Sequence, residues 1–313
     1  MLKIAFLFPG QGSQAPGMGR ELFENYACAR AVFEEADRAL GFPLSKLCFE
    51  GPADELQLTA NTQPAILTAS VAAAAVLRER GVQPDFVAGH SLGEYSALVA
   101  ARALTLCDAV RLVRKRGQYM QEAVPVGVGA MAALLGGEPE AAEAICREAA
   151  QGEVCAPANL NSAGQVVIAG HASAVARAAE LAPKHGVRRV VMLNVSAPFH
   201  CALMRPAAEK LARDLAATEI HDAEIPVIRN VDGAAVTSSV EIRDGLERQV
   251  VSPVRWEESM RNLLGAGVNL MIEAGPGKVL CGLMRQIDRQ TGCLHVEDSA
   301  SLEDTLAKMR NDG

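Results

Sequence analysis

Short apolar runs alternate with longer stretches in which apolar residues recur every three or four positions, as in a chain that alternates strands and helices. Residues 3–8 and 85–89 form clear apolar runs and predict buried strands. Residues 21–40, 62–80 and 106–120 have the helical period and predict helices. Strands separated by helices indicate an α/β fold with a parallel sheet.

Residues 129–193 follow a different order of elements: strand, helix, strand, strand, helix, strand. This is the order of a ferredoxin-like fold, with predicted strands at 130–135, 154–159, 165–169 and 187–193 and helices at 138–150 and 172–185. We therefore expect a small ferredoxin-like domain at 129–193, inserted in a large α/β domain made of 1–128 and 194–313. A site between the two domains is the default expectation.

The composition is that of a soluble globular protein. Half of the 313 residues are apolar and 21% are charged, which excludes a disordered chain and a coiled coil. The formal net charge of −7 argues against nucleic acid as a partner. The apolar run at 65–77 is too short for a membrane span, and the run at 3–8 is followed by Pro9 and Gly10 rather than a cleavage site. We expect a cytoplasmic protein that binds neither nucleic acid nor membranes.

The eight cysteines indicate neither a metal site nor a disulfide framework. The sequence has no C-x-x-C pair and no cluster of histidine and cysteine at zinc spacing. We expect these side chains to be small buried hydrophobes in a reducing compartment.

A serine motif lies where the strand at 85–89 meets a helical stretch rich in alanine and leucine. Residues 89–93 read Gly-His-Ser-Leu-Gly and fit G-x-S-x-G, the pattern of a nucleophile elbow. Such an elbow raises the serine on a tight turn, and its neighbours are glycines because Cβ atoms would clash there. The strand–turn–helix context predicts Ser91 as a nucleophile, and the alternative is a tight turn with a structural role only.

His200 is the expected general base, since a serine hydroxyl is a weak nucleophile without one. It follows the last predicted strand of the small domain, and Pro198 fixes the chain beside it. The side chain of His90, which adjoins Ser91, should point away from the serine. Hydrolases with such an elbow have an acid between the serine and the histidine in the chain. The acids in that interval, such as Glu94, show no sign of lying at the end of a strand, so we predict a serine–histidine pair without a carboxylate. A structural histidine is the alternative for His200.

One cation of the predicted helix at 106–120 falls near its apolar face. At about 100° per residue, Arg116 lies about 60° from the middle of the apolar stripe, whereas Arg111 and Lys115 lie opposite the stripe. Two interpretations stay open: a structural arginine that reaches solvent or an acid, and a guanidinium that holds an anion in a pocket.

The glycine-rich loop at 9–19 admits three interpretations. Residues 10–15 fit the dinucleotide-binding pattern G-x-G-x-x-A, but Pro16 and Gly17 fall where the phosphate-binding helix should gain its first turns. The second interpretation is a plain connecting loop. The third, a loop that arches over the serine site, is favoured by the resemblance that follows.

Six motifs, in order from end to end, resemble those of the malonyl-CoA:acyl carrier protein transacylases and the related acyltransferase domains of polyketide and fatty acid synthases. They are Phe-Pro-Gly-Gln-Gly-Ser-Gln at 8–14, the nucleophile motif at 89–94, Arg-Gly with Met-Gln at 116–121, Asn-Leu-Asn-Ser at 159–162, Gly-Gln-Val-Val-Ile-Ala-Gly at 164–170, and the stretch at 196–204 that holds His200. The resemblance implies an α/β-hydrolase-like large domain.

The resemblance also implies a role for each matched residue. Ser91 would take up the malonyl group, with His200 as general base, and the backbone N–H groups of Gln11 and Leu92 would form the oxyanion hole. The other implied site residues are Arg116, which holds the malonyl carboxylate, Gln249, whose backbone carbonyl orients the histidine, and the pocket residues His90, Met120, Asn159 and Phe199.

The implied reaction is ping-pong acyl transfer from malonyl-CoA to the phosphopantetheine thiol of an acidic acyl carrier protein, without metal or cofactor. We expect a monomer. Lys184, Arg188 and Arg189 form a basic cluster at the end of the small domain, either a docking patch for the carrier or a solvated face. A serine hydrolase or thioesterase, and a dinucleotide-dependent reductase, are the alternative functions.

One residue departs from the pattern of many discrete bacterial members, which have serine before the histidine. Phe199 is typical of malonyl-selective polyketide domains, where it crowds out a branched α-methyl group. The resemblance therefore implies malonyl selection, with which Leu92 agrees, and leaves open whether the carrier serves fatty acid or polyketide synthesis.

Overall fold

We describe the protein from a computed structural model that covers residues 2–195 and 197–311, with the side chain of residue 311 excepted. Ser196, which opens the motif before His200, lies outside the described residues. Within them the strands are Ile4–Phe8 (β1), Phe86–Gly89 (β2), Gly129–Leu135 (β3), Cys155–Ser162 (β4), Gln165–His171 (β5), Arg189–Met192 (β6), Val227–Ile228 (β7), Ala235–Val236 (β8), Leu270–Ala274 (β9) and Gly292–Val296 (β10).

The α-helices of the same residues run between and around these strands. They are Arg20–Asn25 (α1), Ala27–Leu40 (α2), Leu44–Glu50 (α3), Ala53–Gln57 (α4), Thr59–Glu79 (α5), Gly93–Ala100 (α6), Leu106–Glu122 (α7), Pro139–Ala150 (α8), Ala172–Leu181 (α9), Arg205–Ala217 (α10), Ser239–Gln249 (α11), Trp256–Gly265 (α12), Val279–Ile287 (α13) and Ser299–Asn311 (α14). Short 3₁₀ helices occupy Ala182–His185 and Ala202–Met204.

The large sheet has six strands in the order β10-β9-β1-β2-β7-β8, and all neighbours are parallel except β7 and β8. Every residue of β1 is buried, as expected for a central parallel strand covered on both faces. Phe8 pairs with Gly89 at the end of the β1–β2 ladder. Both strands therefore end at the same edge of the sheet, where ligands of open α/β sheets bind.

The helix α5 is the central helix of the large domain. Among the described residues it is long and apolar enough, by length and composition, to cross a membrane, but 83% of its apolar window is buried inside the protein. It packs against α2 and α7. Its apolar character is that of a core helix.

The small sheet has the order β4-β5-β3-β6 with antiparallel neighbours, and α8 and α9 pack on it. This arrangement confirms the predicted ferredoxin-like order of elements. Two backbone hydrogen bonds tie the small sheet to the large domain: the Val254 N–H donates to the Ala158 carbonyl and the Leu160 N–H to the Val254 carbonyl, both at 2.8 Å. The domain boundaries at 128/129 and 193/194 stay a prediction.

The single helix predicted at 21–40 is wrong, because the backbone of Tyr26 is extended and separates α1 from α2. In one straight helix, ten residues would separate Phe23 and Phe33 by about 15 Å along the axis. The break folds α1 back, so that the two ring centroids are 5.9 Å apart, and Phe49 contacts both rings. Aromatic packing between distant turns therefore overrides the local helical pattern.

The prediction for the cysteines is wrong for one pair. Cys281 on α13 and Cys293 on β10 form a disulfide, with their Cα atoms 5.3 Å apart. The packing of α13 against β10 brings these two residues together. Of the six free cysteines, Cys48, Cys146 and Cys201 are buried, whereas Cys28, Cys107 and Cys155 are only partly buried.

Candidate active site

Ser91 lies in a tight turn between β2 and α6, with a left-handed φ of 52°. The flanking glycines are required by close backbone contacts: a Cβ atom on Gly89 would lie 1.9 Å from the backbone of Gly93, and one on Gly93 would lie 2.1 Å from the Phe8 carbonyl oxygen. The Ser91 N–H donates to Asn230 Oδ1 at 2.6 Å. The predicted elbow is therefore present, and a side chain from the end of β7 stabilises its unusual backbone.

His200 is buried beside the serine, with Nε2 2.7 Å from Ser91 Oγ. Its Nδ1 lies 2.9 Å from the backbone carbonyl oxygen of Gln249, which can only accept. The proton of the neutral ring is therefore on Nδ1, which leaves Nε2 free to accept the serine proton. Burial, and then the charge of Arg116, lower the pKa of His200 to about 3. The imidazole is neutral at physiological pH.

Arg116, on α7, is only 2% exposed, so the interpretation of a side chain that reaches solvent is wrong. Its Nη1 donates to Gln63 Oε1 at 2.8 Å, and its Nη2 donates to Ser91 Oγ at 3.1 Å and to Gln249 Oε1 at 2.9 Å. Its Nε has no hydrogen-bond partner within the described part of the chain, and no carboxylate there forms a close ion pair with it. The guanidinium lies over the Tyr95 ring, 5.5 Å from its centroid. Burial lowers the pKa of Arg116, and Tyr95 and Glu94 partly oppose that effect. A buried cation with a free N–H beside the nucleophile is suited to hold an anion.

The loop after β1 lies directly against the elbow. The His90 N–H donates to the Phe8 carbonyl at 3.0 Å, and a Cβ atom on Gly10 would lie 2.5 Å from the His90 carbonyl oxygen. Neither the Gln11 nor the Leu92 N–H donates to a protein acceptor among the described residues, so both are available to an oxyanion. The helix α1 begins only at Arg20, so no helix start follows the glycines as a dinucleotide site requires.

A cavity of about 190 Å³ lies between this loop, the small sheet and α13. The predicted pocket residues His90 and Asn159 line it, together with Gln11, Asn161, Gln165 and Leu283. His90 points away from the serine as predicted: its Nε2 lies 2.9 Å from Asn161 Oδ1. Asn159 Oδ1 is buried without a hydrogen-bond partner among the described residues. The cavity therefore offers amide groups to a polar ligand.

Two predicted pocket residues do not line this cavity. Met120 is buried on α7, where its sulfur lies 3.7 Å from Gln63 Nε2. Phe199 is 8% exposed and adjoins His200. Met120 therefore lies beside Gln63, a hydrogen-bond partner of Arg116.

The basic cluster does not line the cavity. Lys184 lies on the 3₁₀ helix, Arg189 begins the edge strand β6, and Arg188 lies in the connection between them. All three side chains are exposed. None of them forms an ion pair with another described residue. Exposed, unpaired basic side chains agree with both interpretations of the cluster, a docking patch and a solvated face.

The chain is similar to known proteins over its whole length. Residues 5–312 match the family described as an acyl transferase domain. The chain is 50% identical to the malonyl CoA-acyl carrier protein transacylase of Bacillus subtilis (strain 168), over 100% of this chain and 99% of that protein. The chain belongs to this acyltransferase family. The predicted family is confirmed, and the interpretation as a reductase is wrong.

Solved structures of the acyltransferase family have the same fold. An acyl carrier protein S-malonyltransferase from Vibrio cholerae O1 biovar eltor superposes with a TM-score of 0.95 at 51% identity, over 97% of this chain and 99% of that one. A malonyl-transacylase solved in complex with a type II PKS acyl-carrier protein gives a TM-score of 0.95 at 45% identity, over 98% and 99% of the two chains. The predicted fold class is confirmed.

Sequence analysis missed three polar residues that surround the site of this acyltransferase: Gln63, Glu94 and Asn230. Gln63 holds the guanidinium of Arg116, and Asn230 holds the backbone of Ser91. Asn230 follows β7, a neighbour of β2 in the sheet. A polar residue at the end of an adjacent parallel strand is a usable signal, but the two residues of β7 are too few to show a pattern.

Proposed function

We propose that the protein transfers the malonyl group from malonyl-CoA to the phosphopantetheine thiol of acyl carrier protein, through a malonyl–Ser91 intermediate, and so supplies fatty acid or polyketide synthesis. One observation carries this proposal. Ser91 Oγ lies within hydrogen-bond distance of both a neutral histidine and a buried arginine that forms no close ion pair with a carboxylate among the described residues. The names of the relatives support the same substrate and acceptor.

In the first half-reaction, Nε2 of His200 takes the proton of Ser91 as Oγ attacks the thioester carbonyl. The N–H groups of Gln11 and Leu92 stabilise the oxyanion. The C–S bond then breaks, and coenzyme A leaves with the proton from His200. The Gln249 carbonyl stabilises the imidazolium through Nδ1, the role that a carboxylate has in serine proteases.

In the second half-reaction, the carrier thiol gives its proton to His200 and attacks the malonyl–serine carbonyl. The bond to Oγ then breaks, and the serine recovers its proton from the histidine. The cavity beside Gln11 is the proposed path for the pantetheine arm of both coenzyme A and carrier, since Asn159 and Gln165 offer amide groups for its polar atoms. No metal or cofactor takes part in these steps.

Arg116 is the proposed site for the malonyl carboxylate. Its free Nε–H, together with the Nη2 group that now contacts Ser91, can form the two parallel hydrogen bonds that a carboxylate accepts. A bound carboxylate would also neutralise the charge that lowers the pKa of His200. Malonyl binding would therefore make the histidine a better base for its own transfer.

The division into domains 1–128 with 194–313 and 129–193, the cytoplasmic location and the monomeric state belong to the same proposal. The presence of two separate sheets supports the division into domains.

Intact mass spectrometry of the two half-reactions tests the proposed function. With malonyl-CoA alone, we expect the protein to gain one malonyl mass and to keep it. Addition of phosphopantetheinylated carrier should move that mass to the carrier. Release of free malonate without carrier would identify a thioesterase and overturn the proposal.

The Phe199→Ser variant tests whether Phe199 excludes substrates that are branched at the α-carbon. Exclusion of one methyl-sized group is worth about 1–3 kcal/mol, so the ratio of malonyl to methylmalonyl kcat/KM should fall about tenfold or more. Phe199→Leu, which keeps an apolar side chain, should change the ratio less. An unchanged ratio in Phe199→Ser would mean that Phe199 is part of the core only.

The double variant Arg188→Glu/Arg189→Glu tests the basic cluster. If the cluster guides an acidic carrier, the KM for carrier should rise, with transfer to free pantetheine unchanged. Arg147→Glu/Arg213→Glu is the control, because it reverses two exposed arginines outside the cluster. Equal KM values for the two double variants, or an equal loss with pantetheine, would contradict the docking role.

A further inference from the structure

Glu94 is a buried carboxylate that the proposed reaction does not use. It lies in the first turn of α6, three residues after the nucleophile, and is 2% exposed. Within the described part of the chain, no basic side chain comes within ion-pair distance of it. Burial raises its pKa to about 7, against the smaller opposing effects of its hydrogen bonds and of the charges of Arg116 and Arg229. Burial of a carboxylate costs free energy unless hydrogen bonds replace the water that it loses.

Two donors converge on one oxygen of this carboxylate. Glu94 Oε2 accepts from Gln249 Nε2 at 2.8 Å and from the Asn230 N–H at 3.0 Å. Because both groups can only donate, Oε2 is an acceptor whether or not the other oxygen carries a proton. The arrangement therefore does not depend on the ionisation of Glu94.

These contacts decide which way the side-chain amide of Gln249 faces. Its nitrogen must point to two acceptors, Glu94 Oε2 and the Ser91 carbonyl at 2.9 Å. Its oxygen must then face Nη2 of Arg116, at 2.9 Å. The reverse orientation would place an NH₂ group against the guanidinium and leave buried donors without acceptors. Glu94 thus fixes the position of Arg116 through the side-chain amide of Gln249.

We propose that Glu94 is a positioning residue for malonyl selection: its Oε2 fixes the amide of Gln249, whose oxygen holds the Arg116 guanidinium beside Ser91. This inference rests on the proposed role of Arg116 and extends it to a residue that contacts no substrate.

Two substitutions separate the position of the oxygen from its charge. Glu94→Gln keeps an oxygen at the position of Oε2, because the two converging donors orient the new amide, but removes the charge. Glu94→Asp keeps the charge and withdraws the oxygen by about one bond length, roughly 1.5 Å. We expect Glu94→Gln to keep the malonyl to acetyl ratio of kcat/KM within about threefold. Glu94→Asp should lower that ratio about tenfold or more, since a displacement of this size is costly in an active site.

Glu273→Asp is the matched control. Glu273 is a buried carboxylate at the end of β9, with a pKa that burial also raises to about 7, and it accepts the backbone N–H groups of Leu280 and Cys281. It has no contact with Gln249. Its shortening should lower the melting temperature but leave the malonyl to acetyl ratio unchanged, because both substrates share the coenzyme A arm.

The outcomes separate the possible roles of Glu94. A ratio that survives in Glu94→Asp but falls in Glu94→Gln would mean that its charge acts, and would overturn the inference. An equal loss of both substrates in Glu94→Asp, with the ratio unchanged, would mean a structural role only and would also overturn it. A wild-type protein without malonyl preference would instead overturn the proposed function itself.

Discussion

The Ser91→Ala protein should gain no mass from malonyl-CoA, whereas the wild-type protein gains one malonyl group. Ser91 Oγ is the atom that the elbow presents to His200 Nε2, at 2.7 Å. Without this oxygen no acyl–enzyme bond can form, and a ping-pong reaction has no alternative route. Intact mass spectrometry after incubation with malonyl-CoA, followed by peptide mapping, measures the result.

A matched control is available in α6, the helix that follows Ser91. Ser96 is fully buried on α6, and its Oγ has no hydrogen-bond partner in the described part of the chain. Ser96→Ala removes an equivalent oxygen away from His200 and should keep the adduct. An adduct on Ser91→Ala would show that another residue is the nucleophile, and the assignment of the site would fail.

Arg116→Ala should lower the kcat/KM for malonyl transfer by roughly 10²–10³ or more. A malonyl carboxylate that enters a buried site loses its hydration, and Arg116 supplies the replacing hydrogen bonds. Removal of one partner of a buried ion pair costs about 3–5 kcal/mol, and a factor of ten in rate corresponds to about 1.4 kcal/mol. Acetyl-CoA has no carboxylate, so its reaction should be spared or improved. Arg116→Lys should recover only part of the malonyl rate, because an ammonium group lacks the planar fork.

The ratio of malonyl to acetyl kcat/KM, rather than either rate alone, tests this role. Arg116 also donates to Gln63 and Gln249, so its removal can disturb the site for every substrate. Such a disturbance changes both rates and cancels in the ratio. Arg114→Ala is the control: Arg114 lies on the same helix, stacked over the ring of Phe42 at 4.2 Å, and should leave the ratio unchanged. An equal fall for both substrates in Arg116→Ala would make the arginine structural.

These two variants probe different parts of one connected site. In the proposed mechanism, Ser91 forms the acyl bond with His200 as general base, whereas Arg116 selects which acyl group is held. Gln249 connects the two functions, because its backbone carbonyl contacts the histidine and its side-chain oxygen contacts the arginine. A substitution at Gln249 would therefore affect acyl transfer and malonyl selection together. Substitutions at Arg116 and Glu94 leave the backbone carbonyl that contacts His200 in place.

The features that sequence analysis predicted are those that short-range patterns encode. The apolar run of β1, the glycines around Ser91 and the helical phase of Arg116 each depend on residues within one or two turns of each other. The alternation of elements also predicted the ferredoxin-like order of the small sheet. The resemblance to the acyltransferase family added roles for matched residues and one contact, that of the Gln249 carbonyl with His200.

Only the tertiary structure showed how distant residues converge. Asn230 and Gln249 contact Ser91 across 139 and 158 positions of the chain, and Gln249 contacts Glu94 across 155. The break at Tyr26 and the pairing of Cys281 with Cys293 likewise depend on packing between elements.

The sequence by itself determined the candidates for nucleophile, base and cation, because each has a local signature. The tertiary structure decided what surrounds them. Arg116 and Glu94 are buried at one site because β2 pairs with β7 in a particular register. The site also depends on the end of α11, which places Gln249 between them. No local pattern contains that register, because it results from the summed packing of the whole sheet and its helices.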